Sequence, residues 1–248
     1  MLRGVDALSS KSEVSRIPAI LLLGPPGVGK TMFAEALAKG MQVPFKVVRM
    51  ENQQAGAGLV GSAEFWGNSK PGAVFNMLTN GNCANPVIVV DEVDKASVDS
   101  QYNPINSLYS LLEPGSAIKF NDESFPNVAL NASMITWVLT ANYKEQIPEP
   151  ILSRVRVYDI PKPDQAQAKQ IARRIYQLIV NESSIIKQRF SNKLPEDVAA
   201  LIADLSPRKM RLDIEVALGK AAIAKRKTLV VSDFIAPEVK LSRKIGFV

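Results

Sequence analysis

The feature that most constrains the fold is the segment Gly24-Pro25-Pro26-Gly27-Val28-Gly29-Lys30-Thr31. An apolar run at residues 19–23 precedes it, and residues 32–39 follow it with their apolar side chains at helical spacing, which predicts the order strand, loop, helix. Glycines allow successive backbone N–H groups to turn towards one small volume, and the helix adds unpaired amides and the positive end of its dipole. The segment therefore predicts a loop that binds phosphate groups.

The end of this segment indicates that the phosphates belong to a nucleotide bound together with a metal ion. Lys30 supplies a positive charge for the β- and γ-phosphates, and the Thr31 hydroxyl is placed to ligate Mg²⁺. Met32 follows directly and is assigned to the same site. The residues expected to bind the nucleotide are Gly24, Pro25, Pro26, Gly27, Val28, Gly29, Lys30, Thr31 and Met32.

A second signal is the apolar run Val87-Ile88-Val89-Val90, which ends in Asp91 and Glu92. A continuously apolar strand belongs in the middle of a parallel sheet, and α/β proteins bind ligands at the carboxyl ends of such strands. Asp91 can hold Mg²⁺, and Glu92 can polarise the attacking water. An Asp-Glu pair after a strand also serves as a helix cap, but the upstream phosphate loop favours the catalytic interpretation.

Asn142 follows another apolar strand, predicted at residues 134–140. An asparagine at this place can be a simple turn residue. Beside a nucleotide site it can instead orient the attacking water or contact the γ-phosphate, which is the interpretation that we favour.

Apolar strand segments alternate with helical segments in the first two thirds of the chain, which predicts an α/β fold class. The expected architecture is a P-loop NTPase three-layer sandwich around a parallel five-stranded sheet. The segments predicted as strands are residues 19–23, 45–49, 86–90, 134–140 and 155–160. Residues 53–72 are glycine-rich and predicted to be too polar for the core, and residues 114–134 are predicted to be irregular.

Pro161 and Pro163 mark the predicted domain boundary, because the apolar period becomes helical after them. We expect a nucleotide-binding domain at residues 1–161 and a small all-helical lid domain with a C-terminal tail at residues 162–248. The predicted lid helices cover residues 164–180, 195–205 and 207–225. The apolar stripe of the first lid helix consists of Ala168, Ile171, Ile175, Leu178 and Ile179.

Three basic residues crowd the first turn of the third lid helix, for which Ser206 is a suitable N-cap. They are Arg208, Lys209 and Arg211, and the helix dipole disfavours each cation there by about 0.3–1 kcal/mol. A broken local rule suggests a function. We infer that Arg208 reaches a phosphate across the cleft.

The composition excludes several classes of protein. The chain has no histidine, which excludes Ser-His-Asp and Cys-His nucleophile systems and HExxH zinc sites within it. A single cysteine, Cys83, excludes an internal disulfide and fits a reducing compartment. No apolar stretch approaches the roughly 20 residues that span a bilayer, so we expect a cytoplasmic protein without a membrane partner. The net charge of +6 permits nucleic-acid binding but does not indicate it, because no dense basic block is present.

Taken in order, these features resemble the AAA+ ATPases, and within them the ATPase module of Lon-type proteases, over about residues 18–226. By this likeness Asn142 matches sensor 1, Arg154 matches the arginine finger and Arg208 matches the sensor 2 arginine; Arg156 remains open as an alternative finger. The motifs that carry the resemblance are the phosphate loop, Asp91-Glu92-Val93-Asp94-Lys95, Leu111-Leu112-Glu113-Pro114 with Phe120-Asn121-Asp122, Thr140-Ala141-Asn142 and residues 147–154.

The segment Phe65-Trp66-Gly67 lies where this family places an aromatic, apolar, glycine loop that grips polypeptide in a central pore. Its spacing to Pro71-Gly72 is one residue longer than we expect for Lon. The alternative interpretation is a small packing anchor, because adjacent large aromatic side chains are normally buried.

The resemblance implies Mg²⁺-dependent ATP hydrolysis by a homo-oligomeric ring of six subunits, coupled to the remodelling or translocation of a protein substrate. The alternatives are a nucleic-acid loader or motor, and a scaffold in which ATP only holds subunits together. Because few residues follow the lid, we expect no protease activity within this chain, which is then either a piece of a longer protein or an ATPase that remodels without cleaving.

Overall fold

A computed structural model describes residues 16–50, 55–62, 69–81, 83–96 and 104–234. The chain divides into two compact units, and the division falls between Pro161 and Lys162. Each unit has a hydrophobic core of its own.

A parallel sheet of five strands organises the first unit, as the apolar segments predict. Its order is β2-β3-β6-β1-β7, and every neighbouring pair is parallel. A separate antiparallel hairpin joins β4 and β5. The strands are β1 (Ile20–Leu23), β2 (Phe45–Arg49), β3 (Val87–Asp91), β4 (Phe120–Asp122), β5 (Phe125–Leu130), β6 (Thr136–Ala141) and β7 (Arg156–Asp159).

The central strands β3 and β6 are buried on both faces, and alternate residues serve two different cores. Ile88 and Leu139 belong to the larger core, while Val89 and Val138 belong to the smaller core on the opposite face. This arrangement explains why the two strands are continuously apolar rather than alternating. Helices cover both faces, so the unit has three layers.

The helices of the first unit complete these two layers. Ala34 and Ala38 of the first helix pack in the smaller core, and Leu59, Val74 and Leu108 bring three other helices to the larger core. The helices are α1 (Lys30–Met41), α2 (Ala55–Val60), α3 (Ala73–Thr79), α4 (Pro104–Leu112), α5 (Pro114–Ala117) and α6 (Glu149–Leu152), with 3-10 turns at Val93–Lys95 and Lys144–Gln146.

Two expectations about irregular segments are wrong. Residues 53–72 were expected to avoid the core, yet α2 lies within them, with Leu59 fully buried and Val60 buried. Its Ala-Gly-Ala-Gly start has poor helix propensity, so the helix depends on tertiary packing rather than on local preference. Residues 114–134 contain α5 and the β4–β5 hairpin instead of being irregular.

The second unit is helical. Its elements are α7 (Gln165–Glu182), α8 (Ser184–Arg189), α9 (Glu196–Ile202), α10 (Pro207–Ile223) and a 3-10 turn at Val231–Asp233. Asp164 caps α7 with a capping box, since its carboxylate accepts from the Gln167 backbone N–H and the Gln167 side chain accepts in return. Among the described helices, none is both long and apolar enough to cross a bilayer.

The predicted stripe of α7 is correct in part. Ala168 and Ile179 are buried, but Leu178 is 42% exposed. Ala172 and Tyr176 complete the buried face instead, and the Tyr176 hydroxyl donates to the carbonyl of Ser191 at 2.6 Å. The small alanine and the polar tip of tyrosine hid this face from a search for large aliphatic residues.

Candidate active site

The phosphate loop leaves the end of β1 between the ends of β6 and β7. The Gly24 N–H donates to the carbonyl of Ala141 at 3.2 Å, and the Ile160 N–H donates to the carbonyl of Leu23 at 2.6 Å. A Cβ at Gly24 would lie 2.2 Å from the Ile160 carbonyl oxygen, so only glycine fits there. Gly29 precedes α1 at φ 94°, in the left-handed region that favours glycine.

The Lys30 ammonium connects this loop to the end of β6. Its Nζ donates to the carbonyl of Gly24 at 2.7 Å, to the carbonyl of Pro25 at 3.1 Å and to Asn142 Oδ1 at 2.9 Å. The predicted phosphate-binding lysine and the predicted sensor asparagine are therefore in direct contact.

Burial lowers the pKa of the Lys30 ammonium. The carboxylates of Asp94, Asp91 and Glu92 oppose that shift, since negative charge nearby stabilises the ammonium. All three belong to β3 or to the turn that follows it. The Lys30 ammonium thus lies near a group of carboxylates at the carboxyl edge of the sheet.

Thr31 lies at the start of α1 and contacts β3. Its Oγ1 donates to Asp91 Oδ1 at 3.2 Å, and the Thr140 hydroxyl of β6 donates to the same oxygen at 2.5 Å. Residues that are 60 positions apart in the sequence are thereby joined at one carboxylate.

The oxygen atoms of Thr31 and Asp91 fit a magnesium ion that arrives with a nucleotide. Mg²⁺ prefers oxygen ligands and is usually bound by one or two carboxylates, with phosphates and water filling the other positions. Among the described residues, no group of three or more His, Cys, Asp or Glu side chains could hold a metal without such help. The donor set is therefore too small for an independent metal site and suits a metal–nucleotide complex.

Glu92 occupies a sharp turn directly after β3. Its backbone is left-handed, at φ 57° and ψ 49°, which is unusual for a residue with a side chain. The Glu92 N–H donates to Thr140 Oγ1 at 3.0 Å, and its carboxylate pairs with the Lys95 ammonium at 2.9 Å. The residue remains partly exposed to solvent.

Asp94 ties the turn after β3 to the loop after β6. It is only 7% exposed, and its Oδ2 accepts from the backbone N–H groups of Asn142 at 2.9 Å and of Tyr143 at 3.1 Å. Its other oxygen, Oδ1, is buried and has no hydrogen-bond partner among the described residues. Asp94 thereby fixes the backbone of Asn142, whose side chain contacts Lys30.

Arg154 does not join this group. Its Nη1 donates to the carbonyl of Pro150 at 2.7 Å, and its Nε lies 3.8 Å from Glu113 Oε2. Among the described residues, none of its polar contacts reaches the phosphate loop or Asp91. Arg156, the alternative finger, lies exposed in β7.

Arg208 is exposed in the first turn of α10, in the second unit. Its two basic neighbours have acidic partners, because Lys209 pairs with Asp213 at 2.8 Å and Arg211 pairs with Glu182 at 2.6 Å. The positive charges of Lys209 and Arg211 are therefore balanced by acidic partners. Of the three cations in this turn, Arg208 is the one without an ion pair to a described residue.

Met32 is 64% exposed in the first turn of α1. Phe65-Trp66-Gly67, the predicted pore loop, lies outside the described residues.

Sequence reasoning missed Thr140 and gave Asp94 no role. Both residues lie inside quoted motifs, but each looks ordinary there: a threonine in a buried strand and an acid in a short turn. Thr140 could have been recognised as a polar residue at the carboxyl end of a predicted central strand, because a buried polar side chain needs a hydrogen-bond partner.

The chain is similar to known proteins in both sequence and structure. A family model described as "ATPase family associated with various cellular activities (AAA)" matches residues 20–161. The chain is similar to the Lon protease of Malacoplasma penetrans, with 29% identity over 182 residues, which are 73% of this chain and 23% of that protein. It is also similar to "Lon protease homolog 2, peroxisomal" of Oryza sativa subsp. indica, with 33% identity over 147 residues, 59% of this chain and 16% of that protein. The chain thus spans a minor part of the length of both relatives.

Among solved structures, the chain resembles the Thermotoga maritima RuvB Holliday junction branch migration motor. The TM-score is 0.62 at 18% identity, over 94% of this chain and 64% of that chain. A mutant of the same protein gives a TM-score of 0.63 at 16% identity, over 94% of this chain and 65% of that chain. At this identity the likeness establishes the fold alone.

Proposed function

The chain belongs to the AAA family of ATPases, and we propose that it hydrolyses ATP with Mg²⁺ and couples hydrolysis to the remodelling or translocation of a protein substrate. The observation that carries the proposal is the meeting of three distant segments at one edge of the sheet. Lys30 contacts Asn142 at 2.9 Å, and Thr31 contacts Asp91 at 3.2 Å. A phosphate loop, an acidic pair and a polar amide around one small volume are what phosphoryl transfer to water requires.

Each side chain has a distinct role in this proposal. The Lys30 ammonium and the N–H groups of the loop bind the β- and γ-phosphates. Thr31 and Asp91 would hold Mg²⁺, which when bound supplies positive charge against the phosphate oxygens. Glu92 accepts the proton of the attacking water, and Asn142 orients that water or the γ-phosphate.

The protein substrate is proposed from the sequence relatives. The relatives with 29% and 33% identity are named Lon proteases, whereas RuvB, named a branch migration motor, shares only 16–18% identity. An identity of 16–18% does not support a shared function. A nucleic-acid motor therefore remains the alternative to a protein remodeller. The cytoplasmic location also stays a prediction, since the rice relative is named peroxisomal.

Ring assembly follows from the position of Arg154 in this proposal. Within the described part of its own chain, its polar contacts are with Pro150, Ser153 and Glu113, and none of them is with Lys30, Asp91 or Asn142. We propose that it completes the site of a neighbouring subunit in a ring of six, where an arginine supplied in trans raises the rate by about 10³–10⁵-fold. Arg208 would contact the nucleotide from the lid and convey its state to that unit.

The direct test is Glu92→Gln, with Glu35→Gln as its control. Glu35 is exposed in α1, so its variant should keep the wild-type rate. Glu92→Gln should bind ATP with unchanged affinity but lower kcat by about 10²–10⁴-fold, the usual contribution of a general base. Equal rates in the two variants would reject Glu92 as the base, and a wild type that binds ATP without turnover would reject hydrolysis.

The same assay separates the two substrate classes. An unfolded protein should stimulate turnover by the wild type, and the stimulation should persist at moderate salt. Stimulation by DNA that falls steeply with salt would favour the nucleic-acid motor instead, because counterion release governs such binding.

A further inference from the structure

We propose that Thr140 is a positioning residue of this ATPase site, which holds the Asp91 carboxylate and the Glu92 backbone in their working orientations. The proposal rests on the proposed function, and it deepens that function by adding a residue from β6 that controls two residues at the end of β3. Thr140 itself is not proposed to contact the nucleotide or the metal. It acts through the two acidic residues.

The Thr140 hydroxyl lies between the two groups that it holds. Its Oγ1 is 2.5 Å from Asp91 Oδ1 and 3.0 Å from the backbone N of Glu92, and the residue is fully buried. A backbone N–H can only donate and a carboxylate can only accept, so the direction of both bonds is fixed. The hydroxyl proton goes to Asp91 and the hydroxyl oxygen accepts from Glu92. Serine can reproduce this pair of bonds, whereas valine can reproduce neither.

Glu92 needs such a support because its backbone is left-handed, at φ 57°. A residue with a Cβ is strained in this region, and the conformation persists only where the surroundings fix it. Two hydrogen bonds do so: Glu92 N–H to Thr140 Oγ1, and Lys95 N–H to the Glu92 carbonyl at 2.9 Å. Loss of the first bond would allow the turn to relax and the Glu92 carboxylate to change direction.

Asp91 depends on the same hydroxyl for its orientation. Thr31 and Thr140 donate to one oxygen, Oδ1, but the bond from Thr31 is longer, at 3.2 Å against 2.5 Å. Thr31 is itself a proposed metal ligand, so Mg²⁺ would set the position of its oxygen, while its O–H proton could still be donated to Asp91. Thr140 is the hydroxyl that fixes the carboxylate from the protein side, as outer-shell partners of metal ligands generally do.

The test compares Thr140→Val, which removes the hydroxyl at nearly constant volume, with Thr140→Ser, which keeps it. Thr136→Val is the matched control, because Thr136 is 2% exposed and lies in the same strand, on the same side, at the end away from Glu92. For each variant, binding of a fluorescent ATP analogue is measured during titration with Mg²⁺ and again in EDTA. ATP turnover and urea-induced unfolding are measured alongside.

Thr140→Val should need about tenfold or more Mg²⁺ for half-maximal binding and should turn over about tenfold or more slowly, since loss of an outer-shell partner typically costs 10–100-fold. Its affinity in EDTA should stay at the wild-type value, and Thr140→Ser and Thr136→Val should behave as the wild type does. A wild-type Mg²⁺ titration for Thr140→Val, or an equal defect in Thr136→Val, would overturn the proposal. A wild type without turnover would reject the proposed hydrolysis, while the Mg²⁺ titration would still decide the role of Thr140.

Discussion

Lys30 connects the phosphate loop to the end of β6, so its removal should affect nucleotide binding more than any other single change in the loop. Lys30→Ala should weaken ATP binding by about a hundredfold or more, because the ammonium makes several charge-assisted hydrogen bonds of about 1.5–3 kcal/mol each. Lys39→Ala is the control, since Lys39 is exposed in the last turn of the same helix. Calorimetry with ATP measures both, and equal affinities would remove the assignment of the loop.

A second prediction at this scale concerns pH and the second unit. The Arg226 guanidinium donates to both oxygens of the buried Asp233, at 2.8 and 2.5 Å, and holds the pKa of that carboxyl below its ordinary value. The folded state then binds this proton less readily than the unfolded state does. The ion pair therefore stabilises the folded state fully above the pKa of Asp233 in the unfolded chain, which is about 3.9. This contribution is lost as the pH falls through the lower pKa of Asp233 in the folded state.

The variant Asp233→Asn should therefore be less stable than the wild type at pH 7, and the difference should shrink as the pH falls below about 4. Asp204→Asn, at an exposed position of the same unit, should differ little from the wild type at either pH. Urea-induced unfolding at a series of pH values measures the difference. If the free energies of unfolding of the wild type and Asp233→Asn differed by the same amount from pH 7 to pH 3, the ion pair would not act as described.

Residue types at fixed spacing predicted four members of the candidate site in the first unit, but not which of them contact one another. Lys30, Thr31, Asp91 and Asn142 were each predicted from a motif, and they lie within hydrogen-bond distance of one another in pairs. Thr140 was not predicted because its role depends on which strand lies beside β3. β6 lies beside β3 because of the strand order of the sheet, and local sequence patterns do not predict that order.

At the scale of elements, the β4–β5 hairpin is tied to α2 and α3 by one buried carboxylate. Asp122 is fully buried and accepts from the backbone N–H groups of Gly72 at 2.9 Å and of Ser124 at 2.9 Å. Gly61, after α2, has φ 87°, and a Cβ there would lie 2.1 Å from Asp122 Oδ1. The close approach of backbone and carboxylate thus requires glycine at this position.

Gly61→Ala should consequently destabilise the protein by about 1–3 kcal/mol or more, the cost of a strained backbone conformation to which a steric clash is added. Gly58→Ala is the matched control in α2, because Gly58 is exposed and a Cβ there meets nothing within 4 Å. That variant should instead stabilise the protein by about 0.5–1 kcal/mol, the helix-propensity difference between alanine and glycine. Denaturant unfolding measures both, and similar effects of the two variants would contradict the packing described for Asp122.

The strands β1, β3 and β6 were predictable because strands buried on two faces are continuously apolar. The hairpin was not predicted, since β5 is almost wholly exposed and has no alternation of polar and apolar residues. The short helix α8 was also missed, as its six residues are too few for a clear helical period. Elements are thus predictable from sequence where they carry the core, and much less so where they lie at its margin.

At the scale of the whole molecule, the proposed ring predicts complementation between two inactive subunits. Arg154→Ala lacks the finger that serves a neighbour, and Glu92→Gln lacks the base of its own site. Each variant alone should have little activity, whereas a mixture in equal amounts should regain about a quarter of the wild-type rate, because about one site in four combines an intact base with an intact neighbouring finger. The rate is measured as a function of the mixing ratio.

Arg156→Ala provides the control for this experiment, since Arg156 is exposed in β7, two residues from Arg154. It should keep most of the wild-type rate. A mixture with no more activity than its components would contradict a finger in trans, and loss of activity in Arg156→Ala with normal activity in Arg154→Ala would transfer the role to Arg156.

A change of pattern in the sequence predicts a domain boundary at Pro161 and Pro163. Strand-like apolar runs end before Pro161, helical spacing begins after Pro163, and the two units divide between residues 161 and 162. The substrate was not predictable in the same way. A pore or an intersubunit surface forms only when several copies assemble, so no single stretch of sequence carries its shape.

The most direct measurement is a crystal structure of the protein with a non-hydrolysable ATP analogue and Mn²⁺ in place of Mg²⁺, with anomalous scattering used to locate the metal. We expect one Mn²⁺ peak beside the oxygens of Thr31 and Asp91, with the γ-phosphate against the Lys30 ammonium and Glu92 facing it across a water molecule. A nucleotide bound elsewhere, or a metal with neither Thr31 nor Asp91 nearby, would contradict this expectation.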